Sequence, residues 1–424
     1  MEKRLYNAYL NILREELLPA MGCTEPIAVA YAAALARDTL GATPEKVDIC
    51  VSGNILKNVK SVVVPNTGGM KGVTSAAAAG IVAGDAGKKL EVISSATPAD
   101  RERISDYILK TRFSVTQSHS GCIFDITVSV ERGGDSAKVR IAGHHTNVVL
   151  IEKNGKDILN VEVKPDDVAC GADRNLLTVE KIIEFADEVS LADVEELIKR
   201  QINYNKAIAE EGLSGDYGAS VGQVLLGSFG GNVQTRAMAF AAAGSDARMN
   251  GCGLPVVIVS GSGNQGMTAS LPLVVYADYL GCGEEKLVRS LVVSDLVTIR
   301  LKSGIGRLSA YCGAVSAGCG AGSGICYMHG GKYPEISCTI VNALAINSGI
   351  ICDGAKSSCA AKIASAVEAG ILGFEMSRKG KNFCCGDGIL GDCVEHTIDN
   401  VGEIARVGMR ETDEEIIRLM IKKC

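Results

Sequence analysis

Residues Tyr311–Gly331 read YCGAVSAGCGAGSGICYMHGG, a run without a charged side chain in which Cys312, Cys319 and Cys326 recur every seven residues. Seven residues is close to two helical turns, so the three cysteines fit one face of a buried helix. Composition points the other way. Gly320, Gly322 and Gly324 alternate between the last two cysteines, and each glycine costs a helix roughly 1 kcal/mol relative to alanine. The expectation is therefore a loop whose bare backbone can approach a bulky inorganic cluster and offer N–H groups to its sulfides.

Around this run the chain is long, acidic and rich in small residues. Its 424 residues suffice for two or three domains with a large core, so none of its 16 cysteines is needed merely to hold the fold. No basic, apolar leader precedes the first helix, which predicts a cytoplasmic protein with reduced thiols. A net charge of -6 and 4% aromatic residues argue against nucleic acid and favour a small molecule as partner. The uncharged stretch Leu308–Met328 is long enough to span a bilayer, but Gly, Ser and Ala fill it, so burial inside the protein is expected instead of a membrane.

The hydrophobic period predicts an α+β fold. KRLYNAYLNILREELLPAMG reads as an amphipathic helix ended by Pro19, and a second, Ala-rich helix follows Cys23, with Thr24 as N-cap and Gly41 past its end. From about Val47 to Val163 the period shifts toward two in DICVSG, SVVVP, LEVIS, FDITVSV, AKVRIAG and NVVLIEKNG, with a helix over Pro98–Lys110. Beyond Pro165 helical patterns dominate. The division expected is a helical segment 1–45 packing on the C-terminal part, an α+β domain 46–170, and a mostly helical domain 171–424.

Several residues could carry chemistry. Cys23 stands at a helix entrance, where free N–H groups and the dipole favour a thiolate base or nucleophile, although Glu25 opposes ionisation and a cysteine there is often only a packed small residue. Gly261-Ser262-Gly263-Asn264-Gln265-Gly266 matches a dinucleotide fingerprint in letter, but no second strand ending in an acid follows; the same segment can present backbone N–H groups, Asn264 and Gln265 to a small carboxylate. In GHHTN, His144 and His145 would face opposite sides of a strand, so one inward histidine is the most that site offers. Lys71 in NTGGMKG marks an anion-binding turn or a helix start. Zinc would call for tight cysteine pairs, and the Cys384-Cys385 doublet does not supply them. Cys338, Cys352, Cys359 and Cys393 read as core.

Together, MGCTEPIAVA, SGSGNQG, CGAGSGIC and ICDGAKSSCAAKI, in this order along the chain, resemble the L-cysteine desulfidase family, related to the iron–sulfur L-serine dehydratases. The resemblance implies a [4Fe-4S] cluster held by three cysteines, matched here to Cys282, Cys319 and Cys326, with an iron left open for substrate and Cys312 outside the set. It implies Cys23 as the base that removes the α-proton. The implied reaction is β-elimination of L-cysteine to hydrogen sulfide, pyruvate and ammonia without pyridoxal phosphate. Ser262, Gly263, Asn264 and Gln265, with Asp353 and Lys356, are expected to hold the substrate's carboxylate and amine, and a homo-oligomer is expected. Two alternatives stand beside it: L-serine dehydration on the same cluster, and a non-catalytic iron–sulfur sensor in which a fourth cysteine closes the cluster.

Overall fold

The computed structural model describes residues 1–163, 172–306 and 308–421. The expected boundary at 170/171 lies outside the described residues. Four of the period-two segments are strands, β2 (Lys46–Val51), β4 (Asp125–Arg132), β5 (Asp135–Ala142) and β6 (Val148–Lys153); with β3 (Arg112–Gln117) and β7 (Lys156–Asn160), which the period did not mark, they form a six-stranded sheet in the order β3-β2-β4-β5-β6-β7. Only the β2/β3 pair is parallel. Two-residue turns at Gly133-Gly134 and Asn154-Gly155 close the β4/β5 and β6/β7 hairpins, all four residues having positive φ as such turns require.

SVVVP and LEVIS are not strands. Val62 and Val64 are fully buried in an irregular crossing that makes one bridge, Val63 to Lys71, while Leu90, Val92 and Ile93 are buried around a helical turn, Ala86–Glu91. A short apolar run records burial, and burial alone does not select a strand.

The helices are α1 (Lys3–Glu16), α2 (Thr24–Leu40), α3 (Gly53–Val59), α4 (Val73–Ala83) and α5 (Pro98–Lys110), then α6 (Val179–Glu188), α7 (Leu191–Ser214), α8 (Val221–Phe229), α9 (Val233–Met249), α10 (Gly263–Leu280), α11 (Glu284–Ile305), α12 (Gly313–Met328), α13 (Tyr333–Ile346), α14 (Cys359–Arg378), α15 (Val394–Glu403) and α16 (Arg410–Ile421). The molecule is thus mixed, with its sheet in the N-terminal half and helices beyond. The first two helices part company: α1 packs on the helical half, Tyr6 and Tyr9 stacking on Phe185 of α6, whereas α2 covers β4 and β5 and packs on α4. A short antiparallel pair, β1 (Pro19–Met21) with β8 (Pro255–Val257), then ties the approach to α2 to the approach to α10.

The Tyr311–Gly331 run is a helix, not a cluster-wrapping loop. All of α12 from Ala314 to Met328 is buried, and its glycines lie where neighbouring backbones leave no room for a Cβ. A Cβ on Gly320 would stand 2.4 Å from Ser294 O of α11, and one on Gly322 would stand 2.4 Å from Gly370 O of α14. The helix cost of each glycine is offset by main-chain contact on both sides, which buries more surface per turn than longer side chains would allow. Gly318 meets Ala366 and, one turn on, Gly322 meets Gly370, so α12 and α14 run parallel with their N-termini at the same end.

No described helix is long and apolar enough to cross a membrane. Because the Gly322 contact is with backbone, Gly322→Ala is expected to destabilise the protein by about 1–3 kcal/mol through overpacking. Chemical denaturation checks this, against Gly281→Ala at the end of α10, where open space but positive φ makes strain alone the cost.

Candidate active site

Four helix N-termini converge on one cavity: α2 behind Cys23, α10 behind Ser262, α12 behind Cys312 and α14 at Cys359. Their free N–H groups and positive dipole ends make this the anion-favouring region of the fold. Local sequence builds each corner. Gly22, at φ 54° against the Pro65 ring, turns the chain out of β1 so that Cys23, rather than Thr24, becomes the N-cap of α2. Ser260 and Gly261, both at positive φ, turn β8 into α10. Thr24 Oγ1 donates to Gly261 O at 2.9 Å and clasps the two turns together.

Cys23 is buried and its Sγ donates to Glu25 Oε2 at 3.0 Å. Burial, then the Glu25 charge, push the thiol well above the ordinary range, with Arg248 pulling the other way. Glu25 itself is buried, which opposes its ionisation; the His145 imidazole and the Cys23 thiol outweigh that and hold its carboxyl down to about 2. Asn58 Nδ2 donates to its other oxygen at 3.3 Å.

Arg248, at the end of α9, is 2% exposed. One arm, Nη1, donates to Asn264 Oδ1 at 3.0 Å, while Nε has no hydrogen-bond partner among the described residues. Gln265 Oε1 and the Tyr311 hydroxyl, both on the cavity wall, are likewise buried without a partner. Buried polar atoms are nearly always satisfied, so a cluster of such orphans around one cavity marks the place of a polar ligand.

Three more thiols line the cavity: Cys312, Cys352 and Cys359. A bridge between Tyr311 and Ile351, with Cys312 N donating to Ile350 O at 3.0 Å, sets Cys352 beside Cys312. Cys352 is pulled below the ordinary thiol range by the hydrogen bond from Cys312, against burial, and then by the charge of Lys57; Cys312 is pushed up correspondingly. The pair therefore yields its first proton early and its second late. Lys302 adds to the same positive field and also lines the cavity.

The structure distributes the expected site residues unevenly. Cys23, Ser262, Asn264 and Gln265 line the cavity. Gly263 lies beneath it, where a Cβ would stand 2.5 Å from Arg248 Nε. Asp353 and Lys356 pair with each other in the loop before α14, Asp353 also accepting from Lys362 at 2.6 Å, and it is the intervening Gly354 and Ala355 that reach the cavity. The ligand set Cys282, Cys319 and Cys326 is not assembled. Cys319 and Cys326 sit two turns apart on α12, about 10 Å along its axis, each pushed up by burial, to about 12 and about 11. Cys282 follows the C-terminus of α10. None of the three lines the cavity with Cys23; Cys312, Cys352 and Cys359, set aside as packing residues, do.

Arg248 and His145 were also missed as parts of this site. Nothing in GSDARMN separates a buried arginine from a helix-end arginine, and His145 lies far along the chain from Glu25. The segment ICDGAKSSC did hold a usable signal, since its two cysteines bracket a Gly-containing loop ending at a helix start.

Four thiols, Cys23, Cys312, Cys352 and Cys359, thus line one cavity, and the family to which the chain belongs is one of lyase-type enzymes. The family model described as serine dehydratase alpha chain matches residues 87–418, and the chain belongs to that family. It is 57% identical over 423 residues to a UPF0597 protein of Desulfitobacterium hafniense (strain Y51), covering 100% of this chain and 98% of the relative. A UPF0597 protein of Lachnoclostridium phytofermentans is 48% identical over 421 residues (98% of this chain, 100% of the relative), and one of Treponema denticola is 44% identical over 431 residues (100% and 99%). These relatives' names carry no substrate.

The uneven thiol environments predict an order of reactivity. In metal-free protein at neutral pH, iodoacetamide is expected to label the Cys312/Cys352 pair well before Cys319 or Cys326, since only the pair has lost a proton there. Peptide mass spectrometry across a pH series reads this directly, and labelling of the pair should fade as acid restores its proton.

Proposed function

We propose that the cavity catalyses β-elimination from L-cysteine, releasing hydrogen sulfide, pyruvate and ammonia, with a [4Fe-4S] cluster held by Cys312, Cys352 and Cys359. The observation that carries the reading is that these three thiols share one cavity with Cys23 and an under-paired, buried Arg248. The donor set suits such a group: three thiols, one already pulled toward thiolate, among lysines and helix N-termini that favour negative charge. This set replaces Cys282, Cys319 and Cys326. Bound there, the cluster would supply a Lewis-acidic iron that makes sulfide a better leaving group.

The chain's own residues then have separable tasks. Arg248 offers its free guanidinium edge to the substrate carboxylate, a fork that matches a carboxylate in geometry as well as charge. Asn264 holds that guanidinium in place. Gln265 Oε1 is a buried acceptor in need of a donor, which the substrate ammonium provides. Cys23, once ionised, takes the α-proton as general base. The resulting aminoacrylate tautomerises to an imine and hydrolyses, leaving pyruvate and ammonia.

L-serine dehydration is the second reading, favoured by the description of the family model. Anaerobic reconstitution with iron and sulfide, followed by kcat/KM for L-cysteine and L-serine on one preparation, decides between them. A preparation rich in iron and acid-labile sulfide that turns over neither would sink both.

Cys352→Ser is expected to lose most bound iron and acid-labile sulfide, whereas Cys319→Ser and Cys326→Ser retain it; the reverse pattern would restore the earlier ligand set. Arg248→Met is expected to keep its iron and raise KM by about 10- to 100-fold, the loss of hydrogen bonds to a charged group.

A further inference from the structure

Glu25 and His145 stand between two cavities. Glu25 lines the one that holds Cys23, and His145 lines a neighbouring one together with His144, Glu15, Glu16 and Arg174. Cys23 Sγ donates to Glu25 Oε2 at 3.0 Å, and His145 Nε2 lies 3.9 Å from Glu25 Oε1. That nitrogen is buried with no hydrogen-bond partner among the described residues, and the ring is held edge-on to Phe124 with centroids 4.7 Å apart. A buried, unpartnered imidazole aimed at a buried carboxylate is an expensive arrangement for packing alone.

We propose that Cys23, Glu25 and His145 form a proton relay that drains the inner cavity into the outer one, an inference that rests on Cys23 acting as the base. The Cys23 S–H bond breaks, its electron pair stays on sulfur, and the proton passes to Glu25. The Glu25 carboxyl passes it to His145 Nε2, and the imidazolium releases its Nδ1 proton into the outer cavity; Glu25 is restored, and His145, left as the Nε2–H tautomer, returns to its starting form by moving that proton back to Nδ1 through exchange with water of the outer cavity before the next turnover. One proton enters and one leaves, with no change of oxidation state. The distance from Glu25 to His145 closes by about one ångström for the second transfer, to reach hydrogen-bond length.

The need for a relay follows from the surroundings. Cys23 is buried with Glu25 Oε2 at 3.0 Å from its sulfur, so a proton leaving the thiol meets that carboxylate first, while burial and the Glu25 charge oppose the bare thiolate. The charged and titratable groups facing the relay are Arg248, Cys312, Cys352, Cys359, Lys302 and Lys362 in the Cys23 cavity and His144, Glu15, Glu16 and Arg174 on the far side; Thr24 and Asn58 contribute neutral hydrogen bonds. Glu25 and His145 act through Cys23 as positioning and relay residues.

The test is carried out on cluster-reconstituted protein under anaerobic conditions, comparing wild type with Glu25→Gln, His145→Gln and Glu25→Asp. Two quantities are read: turnover of L-cysteine and L-serine, and the rate of iodoacetamide labelling of Cys23 against pH by peptide mass spectrometry. Glu25→Gln removes the charge that opposes the thiolate, so labelling of Cys23 at neutral pH is expected to rise by about 10-fold, one pKa unit, while turnover falls by about 100-fold because the proton has no exit. His145→Gln should lower both, and Glu25→Asp should recover part of the turnover. A purely structural role moves labelling and turnover together in Glu25→Gln, and that outcome, or wild-type turnover in His145→Gln, overturns the relay. Should the wild type process neither amino acid while the opposite shifts in labelling persist, the substrate assignment falls and the relay stands on its labelling signature.

Discussion

Main-chain contact between α12 and its neighbours is the constraint from which the site follows. Wherever α12 touches α14, a glycine replaces a side chain, at Gly318, Gly322 and Gly370, and the two backbones meet at distances that admit no Cβ. Contacts of that kind fix the relative height of the two helices, because a shift of one turn would bring Ala314 or Cys326 of α12 to a place where a carbonyl leaves no room for a Cβ. With the helices parallel and the register set, the N-cap of α12 and the first turn of α14 are brought level, and Cys312 arrives beside Cys359. The Tyr311–Ile351 bridge then closes Cys352 onto Cys312. Three thiols from two segments of the chain, Cys312 from one and Cys352 and Cys359 from the other, are thus positioned by the absence of side chains elsewhere.

The second half of the cavity has a different support. The β1/β8 pair and the Thr24–Gly261 hydrogen bond bring the α2 entrance to the α10 entrance, so Cys23 faces the thiols across a space walled by Arg248, Asn264 and Gln265. Helix dipoles add where they converge. Four N-termini around one space favour an anionic ligand there, although of the four thiols only Cys352 is pulled below the ordinary range, and burial weighs against the guanidinium charge of Arg248.

Much of the fold was legible in the sequence because periodicity reports directly on which face is buried. The helices over Lys3–Glu16, Pro98–Lys110, Leu191–Ser214 and Glu284–Ile305 and most strands of the sheet fall where alternation or a 3.6-residue stripe predicts them. Failures came where burial is complete. SVVVP and LEVIS are too short for their buried valines, leucine and isoleucine to separate a strand from an irregular buried crossing or a helical turn, and α12 is rich in glycine because of what it packs against, which no local rule can see. Equal spacing of Cys312, Cys319 and Cys326 did reflect a helix. The ligand set Cys282, Cys319 and Cys326 came from the family resemblance, and the structure strings Cys319 and Cys326 out along one helix axis, whereas a shared inorganic group needs donors that converge.

Convergence of that sort also explains the pairing of Cys23 with Glu25. A carboxylate two residues from a would-be base looks like an error, since it raises the thiol's affinity for its proton. A base that holds its proton tightly is, however, a strong one once that proton has been removed, and Brønsted behaviour rewards such strength when the α-hydrogen to be abstracted is only weakly acidic. The difficulty then moves from abstraction to recharging the base. Placing the opposing carboxylate in contact with the thiol on one side and within reach of an imidazole on the other answers that difficulty with the same side chain that creates it.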